Sequence, residues 1–308
     1  MSLRGAFWRL RGKSGDNMAA KHPLVSVLLP FYDDGSPEIR SKFSEALSSI
    51  LSQTFRDFEV VLVVSGQRGF AEKQSLRSRK IRLSFFGQAK RNYGKIPLGE
   101  KLRGIVTAWN ICIRESRGKL LAFHAYDDIS LPNRLETQVR FLESNPGIGA
   151  VGSSMVMIDS EGRNKGVRKV FERDAQIRRH MTQFNPVPSP SIMTYASIVK
   201  KAGAFRADEM PEDFDLWVRM AALTKFHNLQ APLVKYRVHS GGGSSIYKFP
   251  LWWGSLRVKL RAARLLGIHA DCRDVAVNLL QFVSLFFPES LRRIVLERIR
   301  SRMVVGGS

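Results

Sequence analysis

The chain lacks the features that mark several classes of protein. It has two cysteines in 308 residues, Cys112 and Cys272, so a disulfide framework and a cysteine-based zinc site are excluded. Both cysteines lie in apolar helical patterns and are expected to be buried thiols, which fits a reducing cytosol. No apolar run reaches the roughly 20 residues that a membrane-spanning helix needs. The nearest run, at 275–287, is short and contains Asn278 and Gln281.

Acidic residues are also scarce. The chain has 27 Asp and Glu residues against 49 Lys and Arg residues, which gives a net charge of +22. Such an excess favours polyanionic partners: nucleic acid, an anionic membrane surface or a phosphate-bearing substrate. The positive charge is concentrated at 67–95 and beyond Lys248. No recognised nucleic-acid motif accompanies it, so nucleic acid is not an expected partner.

Internal repeats and low-complexity tracts are absent, and the sequence divides into three parts. The basic N-terminus, 1–22, has no apolar core of the length that a secretory signal requires, so we expect a surface arm. The Gly/Ser-rich stretch at 239–245 indicates a break in the chain. We therefore expect a folded domain at 23–245 and a helical region at 246–308.

Short apolar runs alternate with helical patterns in the first half of the chain. The apolar runs are 24–30, 58–64, 81–86 and 119–124, and the clearest helical patterns are 38–55 and 101–116. This alternation predicts an α/β fold with a mostly parallel sheet flanked by helices. In such sheets, ligands bind beyond the carboxyl ends of the strands.

Two adjacent carboxylates, Asp127 and Asp128, follow the fourth apolar run. Paired acids at the end of a buried strand repel each other and lose solvation unless a cation or a hydrogen-bond donor lies nearby. Two interpretations are open: a turn in which Asp128 caps the next helix, or a metal or phosphate site. Because strand ends share an edge, we expect Tyr32, Asp33 and Ser65 at the same rim.

The C-terminal region contains two amphipathic helical patterns, at 249–267 and 288–303. In the first, one face is apolar and arginines lie elsewhere; that face consists of Trp252, Trp253, Leu256, Leu260 and Ala263. One interpretation is a helix that lies in the interface of an anionic membrane. The alternative is a helix that packs on the folded domain or on a twin subunit in a homo-oligomer.

Six segments resemble, in order, the successive motifs of the family 2 glycosyltransferases. They are VSVLLPFYDD, ALSSILSQTFRDFEVVLV, AWN, YDDISLPNRLETQV, PEDFDLWVRM and YRVHSGG. The resemblance covers roughly Pro23 to Ser245. It implies a Rossmann-like, glycosyltransferase A-type fold, with a nucleotide-binding half at 23–130 and an acceptor-binding half at 131–245.

The resemblance also implies a reaction. The expected activity is transfer of a sugar, with inversion, from a nucleotide-diphosphate donor to a glycan or lipid-linked acceptor in cell-surface polysaccharide synthesis. The expected cofactor is Mn²⁺ or Mg²⁺, because a hard cation held by carboxylate oxygen neutralises the departing diphosphate. The expected location is cytoplasmic, peripheral on the inner face of the membrane.

Residue roles follow from positions that match the family motifs. Asp127 matches the metal-binding acid, and His239 matches a position that reaches the metal or the diphosphate. Asp213 matches the base that takes the acceptor proton, with Glu212 beside it. The positions expected to contact the nucleotide sugar are Pro30, Tyr32, Asp33, Ser65, Arg103, Asp127 and Asp128. Open alternatives are a helix-start acid for Asp213, a surface histidine for His239 and a half-buried aromatic for Tyr32.

The sequence departs from the family pattern at several positions. Ala125 replaces the first acid of the usual Asp-Ala-Asp-Asp motif, and Tyr126 stands where a small residue is usual. Ser65 stands after the second apolar run where the family has an acid, and Ser189 stands where a histidine is frequent. These departures leave a second hypothesis open: a non-catalytic, degenerate member that acts as a partner protein or binds a glycan.

Overall fold

The structure is a computed structural model that describes residues 22–86, 98–238 and 248–288, together with residues 291, 292, 294–296, 298 and 304. The arm predicted at 1–22 lies outside the described residues except for residue 22. His239, the break at 239–245 and most of the helix predicted at 288–303 also lie outside them.

One sheet of nine strands runs through the described part of the chain. The strands are β1 (Val25–Asp33), β2 (Phe58–Gly66), β3 (Ile81–Phe85), β4 (Leu120–Phe123), β5 (Ile129–Ser130), β6 (Ile148–Ile158), β7 (Asn164–Arg168), β8 (Met193–Tyr195) and β9 (Lys225–Arg237). Their order is β3-β2-β1-β4-β8-β6-β9-β5, and β7 pairs with β6. The strands β1 to β4 pair in parallel, as do β6 and β9, whereas β8 is antiparallel to both neighbours. The predicted α/β fold is confirmed.

Helices cover the sheet and continue beyond it. They are α1 (Pro37–Leu51), α2 (Gly69–Ser75), α3 (Leu98–Glu115), α4 (Arg134–Ser144), α5 (Asp174–His180), α6 (Ala196–Lys201), α7 (Glu212–Ala221), α8 (Lys248–Leu266) and α9 (Cys272–Val283). Two 3₁₀ turns lie at Ser189–Ser191 and Ser284–Phe286. At the start of α1, the Ser36 hydroxyl accepts a hydrogen bond from the Ile39 amide at 3.2 Å and caps the helix.

Two hydrophobic cores lie on opposite faces of the sheet. Alternate residues of a strand point to opposite faces, so Leu28 belongs to one core and Leu29 to the other. The first core includes residues of α3, α7, α8 and α9, and the second includes residues of α1 and α4. The strands β1, β2 and β4 are therefore buried on both faces, as their continuous apolar runs predict, whereas the edge strand β3 is half-buried.

A crevice opens at the carboxyl end of β1. The pairing of β1 with β4 ends where Leu28 faces Phe123, whereas its pairing with β2 continues to Asp33 opposite Gly66. Strand order reverses at this point, because β2 lies on one side of β1 and β4 on the other. Such a switch point is the usual ligand site of an open α/β sheet.

The helix α8 packs on α7 by a narrow face. Val258 and Ala262 are buried in the same core as α7. A Cβ at Gly254 would lie 2.0 Å from the Met210 carbonyl oxygen, so only glycine allows this close approach. Trp253, on the apolar face predicted from the sequence, is largely exposed. The helix thus packs on the folded domain, while much of its predicted apolar face is not buried by this contact. The domain boundaries stay a prediction.

The two cysteines differ in their surroundings. Cys112 is buried, and burial raises the pKa of its thiol. The prediction that Cys272 is buried is wrong: Cys272 is exposed, because it is the first residue of α9 and lies on the outer side beside the capping residue Asp271.

Among the described helices, none combines the length and the apolar character required to cross a membrane.

Candidate active site

The turn after β4 buries the carboxylate pair. Asp128 is 1% exposed, and its Oδ1 accepts a hydrogen bond from the Arg237 amide at 2.8 Å. Its Oδ2 is buried and finds no hydrogen-bond partner among the described residues. Burial first, and then the neighbouring Asp127 carboxylate, raise the pKa of Asp128 well above its usual value. This is the cost expected of paired acids at the end of a buried strand.

Arg237, the last residue of β9, fixes this turn. Its Nε donates to the Asp127 carbonyl at 3.0 Å, and one terminal nitrogen donates to the carbonyls of Asp159 and Ser160. The other terminal nitrogen pairs with Glu45 at 2.6 Å. Arg237 lies inside the motif YRVHSGG, but the sequence does not predict this role for it. The only signal was its place in that motif, because its partners are far away in the chain.

Arg134, the first residue of α4, is fully buried behind the turn. It donates to the Phe123 carbonyl at 2.8 Å, to the Ser130 hydroxyl at 3.0 Å and to the Gln138 side chain at 3.2 Å. Burial lowers its pKa to about 9, and Asp128 opposes this shift. The buried cation therefore partly offsets the charge of the carboxylate pair, a role that sequence reasoning missed.

Asp213 lies in the first turn of α7 and is held by hydrogen bonds. Its Oδ1 accepts from the Phe214 amide at 2.6 Å, and its Oδ2 accepts from the Ser189 hydroxyl at 2.5 Å. The Ser189 oxygen in turn accepts from the Trp217 indole at 2.9 Å. Asn185 lies at 3.5 Å from the same Oδ2. These contacts fix the orientation of the Asp213 carboxylate.

Glu212 and Asp213 both hold protons more tightly than exposed acids do. Burial, with the Asp213 charge second, raises the pKa of Glu212 to about 7. Burial also raises the pKa of Asp213, while the hydrogen bonds from Ser189 and from the Phe214 amide oppose it. A carboxylate whose pKa approaches neutrality is a better proton acceptor at working pH than an ordinary aspartate.

The Asp127–Asp128 pair and Asp213 all lie close enough to Tyr236 to raise its pKa. Burial, followed by the charges of the β4 turn and of Asp213, raises the pKa of the Tyr236 phenol to about 12. The elements that carry the acids also touch, since the rings of Phe123 at the end of β4 and Trp217 on α7 pack edge to face at 5.3 Å. Asp127, Asp128 and Asp213, far apart in sequence, therefore act on one small region.

The rim of the crevice at β1 and β2 is organised by Asp33. Its buried carboxylate pairs with Arg40, with an Oδ1–Nε distance of 3.0 Å, and accepts the Gly35 amide at 2.9 Å. Its carbonyl accepts the Gln67 amide at 2.9 Å. Gly66 has φ +98°, and a Cβ there would lie 2.1 Å from the same carbonyl. Asp33 thus shapes the loop; a contact between Asp33 and a nucleotide stays a prediction.

The remaining predicted nucleotide contacts lie near this rim or on α3. Tyr32 faces Ser65 across β1 and β2, and both are half-buried. Burial raises the pKa of the Tyr32 phenol, and neighbouring acids add to the shift. Pro30, which lacks an amide hydrogen, lies in β1 beyond Leu28, the last residue that pairs with β4. Arg103 is exposed on α3, and His239 lies outside the described residues.

The carboxylates at the β4 turn could hold a cation only if oxygen atoms of the substrate or of water supply its remaining ligands. The described residues contain no group of three or more His, Cys, Asp or Glu side chains that could hold a metal ion. Asp127 and Asp128 nevertheless supply adjacent carboxylates, and the buried Oδ2 of Asp128 has spare acceptor capacity. Mg²⁺ is commonly held by one or two carboxylates, with water and phosphate oxygens as the other ligands. The donor set fits that arrangement.

Comparisons with known proteins agree on one family. The model of Glycosyl transferase family 2 matches residues 26–200. An uncharacterized glycosyltransferase of Methanocaldococcus jannaschii is 29% identical over 223 residues, which are 70% of this chain and 71% of that protein. The amylovoran biosynthesis glycosyltransferase AmsE of Erwinia amylovora is 26% identical over 247 residues, covering 79% of this chain and 85% of AmsE.

The fold is also found among solved structures. S. aureus TarS 1-349, solved in complex with UDP-GlcNAc, superimposes with a TM-score of 0.57 at 18% identity, over 84% of this chain and 71% of that one. A longer TarS chain is covered to 44% of its length. At this level of identity the likeness concerns the fold. Together with the match to the family model, it places this chain in family 2 of the glycosyltransferases, and the protein is a glycosyltransferase.

Proposed function

We infer that the protein moves a sugar, with inversion, from a nucleotide-diphosphate donor to a glycan or lipid-linked acceptor. One observation carries this proposal. The acid pair at the end of β4 lies beside the point where strand order reverses, and β4 contacts α7, which carries Asp213, through the rings of Phe123 and Trp217, 5.3 Å apart. Separate acids for the leaving group and for the acceptor are what a single displacement at the anomeric carbon needs.

The donor would bind along the crevice between β1 and β4. Tyr32 would lie against the nucleotide base, with Pro30 and Ser65 shaping the same rim. Arg103 on α3 would contact the negative part of the donor. The fold shared with TarS, which was solved with UDP-GlcNAc and with UDP, supports a nucleotide-sugar donor and motivates uridine nucleotides as the first probes.

Mn²⁺ or Mg²⁺ would be held by Asp127 and Asp128, with His239 as a further candidate. When bound, the cation supplies positive charge to the departing diphosphate. Members of this family generally use a divalent metal. Because Ala125 replaces one acid of the usual motif, the carboxylates here would hold a cation weakly until diphosphate oxygens complete its ligands.

Asp213 would act as the base. It accepts the proton of the acceptor hydroxyl while that oxygen bonds to the anomeric carbon and the bond to the diphosphate breaks. The hydrogen bonds from Ser189 and from the Phe214 amide keep the carboxylate in one orientation. Its raised pKa strengthens it as a proton acceptor.

The acceptor belongs, in this proposal, to cell-surface polysaccharide synthesis at the cytoplasmic face of the membrane. The likeness to AmsE, named for amylovoran biosynthesis, supports a polysaccharide. The net charge of +22 supports a location close to anionic lipid or to a phosphate-linked acceptor.

The test compares wild type with Asp213→Asn, using UDP-GlcNAc and a panel of other nucleotide sugars with Mn²⁺. We expect the rate of transfer or hydrolysis to fall by about a hundredfold or more in Asp213→Asn, because the base is lost. Asp208→Asn is the matched control, since Asp208 is an exposed acid in the loop before α7 and should leave the rate unchanged.

Two outcomes would contradict the proposal. Full activity in Asp213→Asn would remove the base assignment. Failure of every nucleotide and nucleotide sugar to bind the folded wild-type protein would favour the alternative, a non-catalytic member that acts as a partner protein.

A further inference from the structure

Helix α9 has two faces, but their usual arrangement is reversed: a polar face lies against the protein and an apolar face is exposed. The polar side chains of Asp274, Asn278 and Gln281 face the body of the protein, and each is hydrogen-bonded there. Asp274 accepts from Arg179 at 2.9 Å and from Gln183 at 2.7 Å. Asn278 donates to the Thr182 carbonyl at 3.1 Å, and Gln281 donates to the Gln183 carbonyl at 2.8 Å. These bonds hold one orientation of the helix on the protein.

The opposite side of α9 presents apolar residues to the outside. The outer apolar face consists of Val275, 64% exposed, Leu279, 59%, Leu280, 49%, Val283, 41%, and Phe286 of the following turn, 76%. Soluble monomers rarely expose contiguous apolar surface of this kind, so it marks an interaction surface.

A groove between α8 and α9 continues this face. Its volume is about 400 Å³, and its walls are mainly apolar, with Trp252, Leu256, Leu260, Val275, Leu279 and Phe282 among them. Leu260, Val275 and Leu279 belong both to the groove and to the exposed surface. The groove and the outer apolar face therefore form one apolar surface.

The charges on α8 and α9 are mainly positive. Residues 248–288, which include both helices, contain six Lys and Arg residues against two Asp and Glu residues. The two acids among residues 248–288, Asp271 and Asp274, are both paired with Arg179. Arg257, Arg264 and Arg273 are exposed on the same helices. Arg257 lies 3.9 Å from Glu209, whereas the excess of charge on the two helices remains positive. A surface that combines apolar side chains with an excess of positive charge is complementary to an anionic bilayer.

We propose that the outer apolar face and the groove bind the surface of an anionic lipid bilayer, with the face at the acyl boundary and part of a lipid chain in the groove. The polar side chains of α9 remain bonded to the protein, so binding needs no rearrangement of the helix. The exposed arginines contact lipid phosphates at the rim.

The consequence for catalysis rests on the proposed function. Helix α8 touches the start of the catalytic helix, because Arg261 pairs with Asp215 of α7 and with Glu209 in the preceding loop. Gly254 lies directly against Met210, three residues before Asp213. A bilayer bound by α8 and α9 therefore lies on the side of the molecule that supports the base, where a lipid-linked acceptor would approach.

The test is flotation of the full chain with vesicles of phosphatidylcholine alone or mixed with phosphatidylglycerol, at low and high salt. We expect binding to the anionic vesicles only, weakened by salt. The triple variant Val275→Gln, Leu279→Gln, Phe286→Gln should bind about tenfold more weakly or worse. Leu76→Gln, which changes a leucine exposed in α2's C-terminal turn, is the matched control and should bind like wild type. Unchanged thermal unfolding would show that the triple variant is folded.

Three results would overturn the proposal. They are wild-type protein that does not float with anionic vesicles, equal binding by the triple variant, and a wild-type dimer that the triple variant converts to monomer without any vesicle binding. The last would assign the face to a second copy of the chain. Binding of UDP to the same preparations reports on the donor site separately, so failure of lipid binding and failure of the transferase assignment are distinguishable.

Discussion

At the residue scale, the Ser189 hydroxyl links the buried indole of Trp217 to the carboxylate of Asp213. Because this bond favours the charged form of Asp213, removing it should raise the pKa of the base. We expect Ser189→Ala to move the acid limb of the pH–rate profile to higher pH. Ser189→Thr keeps a hydroxyl and is the control that should restore the profile. An unshifted profile in Ser189→Ala would mean that Ser189 does not act through Asp213.

Glu212 supplies a prediction about stability and pH. Its pKa is raised from 4.5 to about 7, so the folded protein binds this proton more tightly than the unfolded chain does. Folding stability should therefore fall as the pH rises through that window. Glu212→Gln should increase the free energy of unfolding by about 1 to 3 kcal/mol at alkaline pH and change it little at acidic pH. Denaturant unfolding at both pH values measures this, and an equal effect at both would contradict it.

Sequence motifs identified the candidate acids but not the residues that support them. Asp127 and Asp213 could be predicted because they stand in ordered local motifs. The contact of the Arg237 amide with Asp128 spans 109 residues of the chain, and nothing local predicts it. The buried state of Arg134 was also beyond local patterns, since an arginine at the start of a helix is ordinarily exposed.

At the element scale, the contact between α7 and α8 gives a prediction with an internal control. Any Cβ at Gly254 would collide with the Met210 carbonyl, so Gly254→Ala must displace α8 or the loop before α7. We expect a loss of about 1 to 3 kcal/mol in the free energy of unfolding, together with lower activity. Gly104→Ala in α3 has open space and should be neutral or stabilising by up to about 1 kcal/mol.

Thermal or denaturant unfolding of Gly254→Ala and Gly104→Ala measures these changes in the free energy of unfolding. Equal stability of both would mean that the close approach of α8 to Met210 does not exist in solution.

Helix periodicity predicts that a face exists, but not which way it points. In α8, the apolar stripe that includes Trp253 and Leu260 was expected to be a packing or membrane face, yet α8 packs through Val258 and Ala262. In α9, the buried side is polar because Arg179 and its neighbours offer hydrogen-bond partners there. Those partners lie in a distant segment of the chain, so the sequence of α9 alone does not predict which of its faces is buried.

At the scale of the whole molecule, the parallel half of the sheet was predictable and the rest was not. Continuous apolar runs separated by helical patterns specify β1 to β4 and place their carboxyl ends at one rim. The pairing of β8 between β4 and β6 depends on contacts between distant segments, so local alternation could not predict it. That non-local pairing nevertheless brings Ser189, next to β8, to Asp213.

The central claim is that the acid pair after β4 holds a cation against the diphosphate of the donor. The direct measurement is calorimetric titration of nucleoside diphosphates, starting with UDP, with and without Mn²⁺, into wild type and Asp127→Asn. We expect the cation to tighten binding of one nucleotide by about tenfold or more in wild type, and to have little effect in Asp127→Asn. Equal nucleotide affinity of the wild type with and without Mn²⁺ would contradict the claim. So would an equal effect of Mn²⁺ on nucleotide affinity in Asp127→Asn and in wild type.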